Sequence, residues 1–148
     1  MMATVTVSTK EVPMRFLKSA LIAFALLAGT APALATGSRT DTVLLVGDSL
    51  SSAHRMTEAD GWVALLQAKL ATETATPPAI VNVSRGGKTL TDALDELPAL
   101  LATHHPDVVV LELGGNDAIL GAKGDAIERD LGRLIELAQA QGARVIAW

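Results

Sequence analysis

Ser49 stands between an acid and a leucine in Gly47-Asp48-Ser49-Leu50, directly after the apolar run Val43 to Val46. A hydroxyl there has two uses. It is a nucleophile for acyl transfer if donors are preorganised around the oxyanion of the tetrahedral intermediate. Otherwise Ser49, or Ser51, is the polar cap of a following helix. Two further polar loops bear on the choice: Asn82 to Thr89, and Gly114-Gly115-Asn116-Asp117. The Ser49 N–H, a glycine N–H from Gly86-Gly87 and the Asn116 side-chain amide would supply three donors. Glycine suits the second, because a missing side chain lets the backbone approach a reacting centre closely. A helix beginning just after Ser49 would add a favourable dipole for the developing anion.

Other polar residues admit other chemistry. Asp48 and Asp117 form a carboxylate pair of the kind used in glycoside hydrolysis or in an oxygen-rich metal site; hydrogen-bonding support of the two loops is the simpler expectation. Glu112 interrupts an apolar run and is expected to reach a polar partner near the site. Arg85 and Lys88 either steer an anionic leaving group or are solvated loop charges. "RGGKT", Arg85 to Thr89, lacks the spacing of a nucleotide-binding phosphate loop. The absence of cysteine excludes thiolate catalysis, disulfides and Cys-based zinc sites.

The elements that must position these loops alternate. Thr42 to Val46 reads as a parallel strand covered on both faces. Trp62, Leu65, Leu66, Lys69 and Leu70 fall on one helical stripe. Ala79 to Val83 is a second strand. Leu90, Leu94, Leu97 and Leu101 mark a second helix, which Pro98 is expected to interrupt. The third strand is "DVVVLEL", ending at Leu113; Ile127, Leu131, Leu134, Ile135 and Ala138 make a third amphipathic helix ending near Gly142. Arg144 to Trp148 begins a fourth strand. This alternation implies an α/β fold with a parallel sheet, whose ligands bind at the carboxyl ends of the strands, where the three polar loops converge.

The 148 residues carry a net charge of −4 and no Lys/Arg block, so nucleic acid is not an expected partner. From Met14 the sequence has the form of an export signal: Arg15 and Lys18, the apolar stretch Ala20 to Ala28, then Ala33-Leu34-Ala35 as a cleavage site. That apolar core is shorter than the roughly 20 residues of a spanning helix, so no stable membrane span is expected after cleavage. The expected division is residues 1–35 as N-terminal extension and signal peptide, and 36–148 as one partial catalytic domain, periplasmic or secreted. Removal of Lys10, Arg15 and Lys18 against Glu11 alone makes the mature chain more acidic.

At these residues the sequence resembles the SGNH hydrolases, also called GDSL-type lipases and esterases. "VLLVGDSLSSA" looks like the first block of the family, "IVNVSRGGKT" like the second and "VVVLELGGNDAILG" like the third. Within the family the likeness is to the bacterial exported arylesterases that also act as acyl-CoA thioesterase I and lysophospholipase L1. The resemblance implies a three-layer, flavodoxin-like fold, here without its C-terminal strand and helix. It places the nucleophile at Ser49 and the oxyanion donors at Ser49 N–H, Gly87 and Asn116, with Gly86 the competing glycine and Asp48 and Asp117 as supports. The substrate would be a small carboxylic ester or thioester, with no metal or organic cofactor, in a protein monomeric when full length. The family completes its triad with a later Asp-x-x-His block, and none exists in these 148 residues. His54, His104 and His105 are poor substitutes by position. A catalytically inert fragment or acyl-binding module, and a carbohydrate acetylesterase, are the alternatives.

Overall fold

The computed structural model describes residues 40–148; the export signal expected before Thr36 lies outside them. Four parallel strands form one sheet in the order β2-β1-β3-β4: β1 Thr42–Gly47, β2 Ala79–Asn82, β3 Val108–Glu112 and β4 Arg144–Ala147. Four helices connect them: α1 Trp62–Glu73, α2 Leu90–His104, the short α3 Gly115–Ile119, and α4 Gly124–Ala140. The central strands β1 and β3 are buried apolar runs covered on both faces, while the edge strands β2 and β4 are half-buried or exposed. Leu44, Val46, Val109 and Leu111 pack on one face with Leu90, Leu97 and Leu101 of α2 and Leu134 and Ala138 of α4. Leu45 and Val110 point to the other face, against Val63 of α1. The result is the α/β fold with a parallel sheet expected from the alternation of periods, in the three layers that the family resemblance implies.

From β1 the chain steps to β2 on one side and then crosses to β3 on the other. Strand order therefore reverses between β1 and β3, and such a switch point opens a crevice at the strands' carboxyl ends. Leu45 pairs with Val110 and Gly47 with Glu112, so the loops after these two strands leave the sheet side by side.

Three local expectations change. The chain after Ser49 does not enter a helix: residues 49–55 are turns, and a single 3₁₀ turn, Glu58–Asp60, precedes α1. Ala53 and Arg55 adopt left-handed φ angles of 54° and 63°, which a right-handed helix cannot contain. No helix dipole is available at Ser49, and neither Ser49 nor Ser51 is a cap.

α2 runs through Pro98 without a break. The ring lies on the exposed face, while Leu97 and Leu101 carry the helix across by burial. A capping box at its start, in which Thr89 and Asp92 satisfy each other's backbone N–H groups, fixes where it begins.

α1 is rolled about its axis from the expected stripe. Val63 is its buried residue, while Trp62, Leu65 and Leu66 are exposed. The cause is Gln67. Its Nε2 donates to the Pro78 carbonyl at 3.0 Å and its Oε1 accepts from the Ile80 N–H at 3.0 Å, both on the outer edge of β2. A polar residue satisfied on that edge turns the helix toward it.

Candidate active site

The GDS turn leaves β1 with Asp48 buried, 5% exposed. Asp48 Oδ1 accepts the Leu50 N–H at 2.9 Å and Oδ2 accepts from Asn116 Nδ2 at 3.1 Å. The Ser52 N–H donates to the Asp48 carbonyl at 3.1 Å and closes the turn. Ser49, half-buried between these anchors, is left over: among the described residues neither its hydroxyl nor its backbone N–H makes a hydrogen bond. A free hydroxyl and a free amide on a braced turn are what a nucleophile with its own oxyanion donor requires.

The second loop is held by Asn82, whose Nδ2 donates to the Ser51 carbonyl at 2.8 Å while its Oδ1 accepts the Ser84 N–H at 3.1 Å. The left-handed angle falls at Gly87, φ 76°, and not at Gly86. A Cβ on Gly87 would touch nothing within 4 Å, so its glycine is a matter of backbone angle and not of space. The Gly87 N–H also has no partner among the described residues. His54, exposed on the turn after Ser49, lies beside Gly86, with Nδ1 3.6 Å from where a Cβ on that glycine would stand.

Asn116 joins all three loops. Its Nδ2 donates to Asp48 Oδ2 and, at 2.9 Å, to the Lys88 carbonyl next to Gly87. Both amide hydrogens are thus engaged within the chain. Asp117 faces away from that centre and accepts the Leu90 N–H at 3.0 Å, at the start of α2.

Arg85 is an exposed loop charge, as one of the two expectations had it, whereas Lys88 fits neither. Lys88 is 1% exposed and its ammonium donates to the Val83 carbonyl at 2.8 Å and meets Glu96 at 2.9 Å. Arg85 binds the same Glu96 at 2.8 Å and Asp92 at 3.5 Å. Both cations are tied to α2 carboxylates, which leaves no free charge to steer an anion. His104 ends α2 and His105 follows it, before β3 begins, so both sit at the amino ends of the strands, away from Ser49.

Two features depend on contacts across the fold, and the second supplies the polar partner near the site expected for Glu112. Gly47 is required by space: a Cβ there would stand 2.8 Å from Ser84 Oγ, 2.9 Å from Ser51 Cβ and 3.0 Å from Glu112 Oε2. Ser51 donates its hydroxyl to Glu112 Oε2 at 2.9 Å, across 61 residues of sequence. A groove of about 760 Å³ opens between this turn, α1 and β2, lined by Ala53, Met56, Val63, Ala64 and Ile80 among others. Among the described residues no group of three or more His, Cys, Asp or Glu is arranged to hold a metal ion, and no helix is long and apolar enough to cross a membrane.

Known proteins share this frame. "Esterase TesA" of Pseudomonas aeruginosa is 44% identical over 105 residues, which cover 71% of this chain and 52% of the relative. "Thioesterase 1/protease 1/lysophospholipase L1" of Escherichia coli K12 is 40% identical over 103 residues, 70% of this chain and 48% of the relative. A crystal structure of TesA superposes with a TM-score of 0.69 at 43% identity, covering 72% of this chain and 59% of the other. The chain thus spans about half the length of the curated relatives it matches. The sequence profile of the GDSL-like lipase/acylhydrolase family matches residues 45–148, from the middle of β1 to the last residue given. A braced serine turn at the switch point and a family match over that same span lead to one conclusion: the chain belongs to the GDSL-like lipase/acylhydrolase family.

Proposed function

We propose that the chain carries the nucleophile and oxyanion donors of a serine esterase acting on carboxylic esters or thioesters, the chemistry named for its relatives TesA and thioesterase 1/lysophospholipase L1. The observation that carries this reading is the pair of free groups on Ser49. Its Oγ attacks the acyl carbonyl, and the carbonyl electrons move onto oxygen. The Ser49 and Gly87 N–H groups stabilise that oxyanion, joined by Asn116 Nδ2 once it releases the Lys88 carbonyl or Asp48. Collapse expels the leaving group, which takes up the Ser49 proton by way of solvent water and departs as alcohol or thiol, and leaves an acyl-serine that water hydrolyses to the carboxylic acid and free serine.

The Ser49 proton needs an acceptor, since a serine hydroxyl is a weak nucleophile at its own pKa. None of the three histidines hydrogen-bonds Ser49, and the sequence holds no Asp-x-x-His. Acylation by these 148 residues is therefore slow and turnover is below that of an enzyme with a histidine base. An acyl-binding module without turnover is the second reading, favoured by the engagement of both Asn116 amide hydrogens within the chain.

Intact-mass analysis after incubation with a fluorophosphonate distinguishes the two. A single adduct that disappears in Ser49→Ala supports the esterase reading, and equal labelling of both proteins overturns it. Export from the cytoplasm, with cleavage after Ala35, belongs to the same proposal; N-terminal sequencing of the exported product is expected to begin at Thr36.

A further inference from the structure

Glu112 ends β3 with its carboxylate under the nucleophile turn, 6% exposed, and the acyl-transfer scheme gives it no part. A buried carboxylate is costly unless its oxygens are bonded. Here Oε2 accepts two hydrogen bonds, from the Ser51 hydroxyl at 2.9 Å and from the Asp48 N–H at 3.3 Å. Those donors lie on either side of Ser49, which has no hydrogen bond of its own among the described residues. Only a glycine at position 47 leaves room for this oxygen. Ser84 Oγ, from the loop that leads to Gly87, is buried without a partner among the described residues and lies within 3 Å of the same Cβ position. One carboxylate at the end of β3 thus gathers the first loop and stands next to the second.

We propose that Glu112 is the positioning residue of the nucleophile turn: by receiving the Asp48 amide and the Ser51 hydroxyl on one oxygen, it sets the direction in which Ser49 presents its hydroxyl and its N–H. This rests on the reading of Ser49 as the nucleophile. Burial raises the Glu112 carboxyl above its ordinary pKa, and the two hydrogen bonds it accepts oppose that rise. The carboxyl stays where it is through those bonds. A group acting in this way is needed for its acceptor oxygen and shape, so glutamine replaces it and leucine does not.

The test uses the full chain with two readouts: amide hydrogen exchange resolved by residue, and fluorophosphonate labelling of Ser49. In Glu112→Leu, exchange at Asp48 and Ser52 is expected to rise at least tenfold and labelling to fall at least tenfold, with Leu97 and Leu101 of α2 unchanged. Glu112→Gln is expected to stay within threefold of the parent in both. The proposal is overturned if Asp48 exchange does not change in Glu112→Leu, if glutamine fails to restore it, or if α2 loses protection equally. Should the leucine variant not fold, Ser51→Ala, which removes one donor and keeps Glu112, must raise exchange at Asp48 and Ser52 at least threefold; no rise overturns it. If the parent labels no faster than Ser49→Ala, the nucleophile reading fails, while the exchange data still decide the role of Glu112.

Discussion

Asp48 serves two loops with one carboxylate: Oδ1 holds the backbone that follows Ser49, and Oδ2 holds the Asn116 amide. Hydrogen bonds to a charged acceptor contribute more than neutral ones, and a buried donor stripped of its acceptor adds a desolvation cost. Asp48→Ala is therefore expected to lose roughly 2–4 kcal/mol of stability in urea denaturation. Ser49→Ala, which breaks no hydrogen bond, is expected within about 0.5 kcal/mol of the parent. A shift as large for Ser49→Ala as for Asp48→Ala would contradict the picture of a free hydroxyl on a braced turn. The serine, the asparagine and the two acids stand out in the sequence because their types are unusual at strand ends. Their division of labour does not, since which oxygen meets which amide is fixed by the β1–β3 register, across 68 residues in the case of Asp48 and Asn116. Lys88 illustrates the limit. Its charge suggested a ligand or a solvated loop residue, but a lysine's stem buries readily when its ammonium finds a carboxylate, and Glu96, in the second turn of α2, supplies it.

At the scale of elements, the strands were legible, with every end within one residue, because each is a short apolar run between polar loops and needs no partner to be seen. Orientation was not legible for α1, where the contact of Gln67 with the β2 edge decides which side faces the sheet. Continuity was not legible for α2, because the effect of Pro98 depends on what its neighbours bury. The start of α2 offers a pH-dependent test. The Asp92 carboxyl is held below its ordinary value of 3.8, first by the Thr89 backbone N–H and then by the Thr89 hydroxyl. A lowered carboxylate contributes stability that is present above its unfolded pKa and is lost as pH falls through the folded one. Asp92→Ala is expected to cost about 1 kcal/mol at neutral pH, measured by thermal or urea unfolding. The difference from the parent should narrow as pH drops below 3.8; a cost independent of pH would show that the ionised capping box contributes nothing.

For the molecule as a whole, the sheet is covered unequally. One face carries α2 and α4; the other, among the described residues, carries α1 alone, whose Val63 packs with Leu45 of β1 and Val110 of β3. Ile146, in register with Val110 on the α1 face, is 52% exposed, and Trp148 is 62% exposed with its ring 6.2 Å from that of Trp62. Apolar side chains beside a strand edge with no neighbour among the described residues are a template for association between chains. Sedimentation velocity is expected to show association that increases with concentration and that Ile146→Lys suppresses; equal behaviour of the two proteins would place the contact elsewhere.

The Gln67 amide on the rim of β2 then acquires a meaning beyond the roll of one helix. It occupies, with a side chain, the hydrogen-bonding positions that another strand would take. With the Pro78 carbonyl and the Ile80 N–H already bonded inside the chain, a strand approaching β2 would have to displace a side chain before it could pair, so this rim carries its own protection against edge-to-edge association.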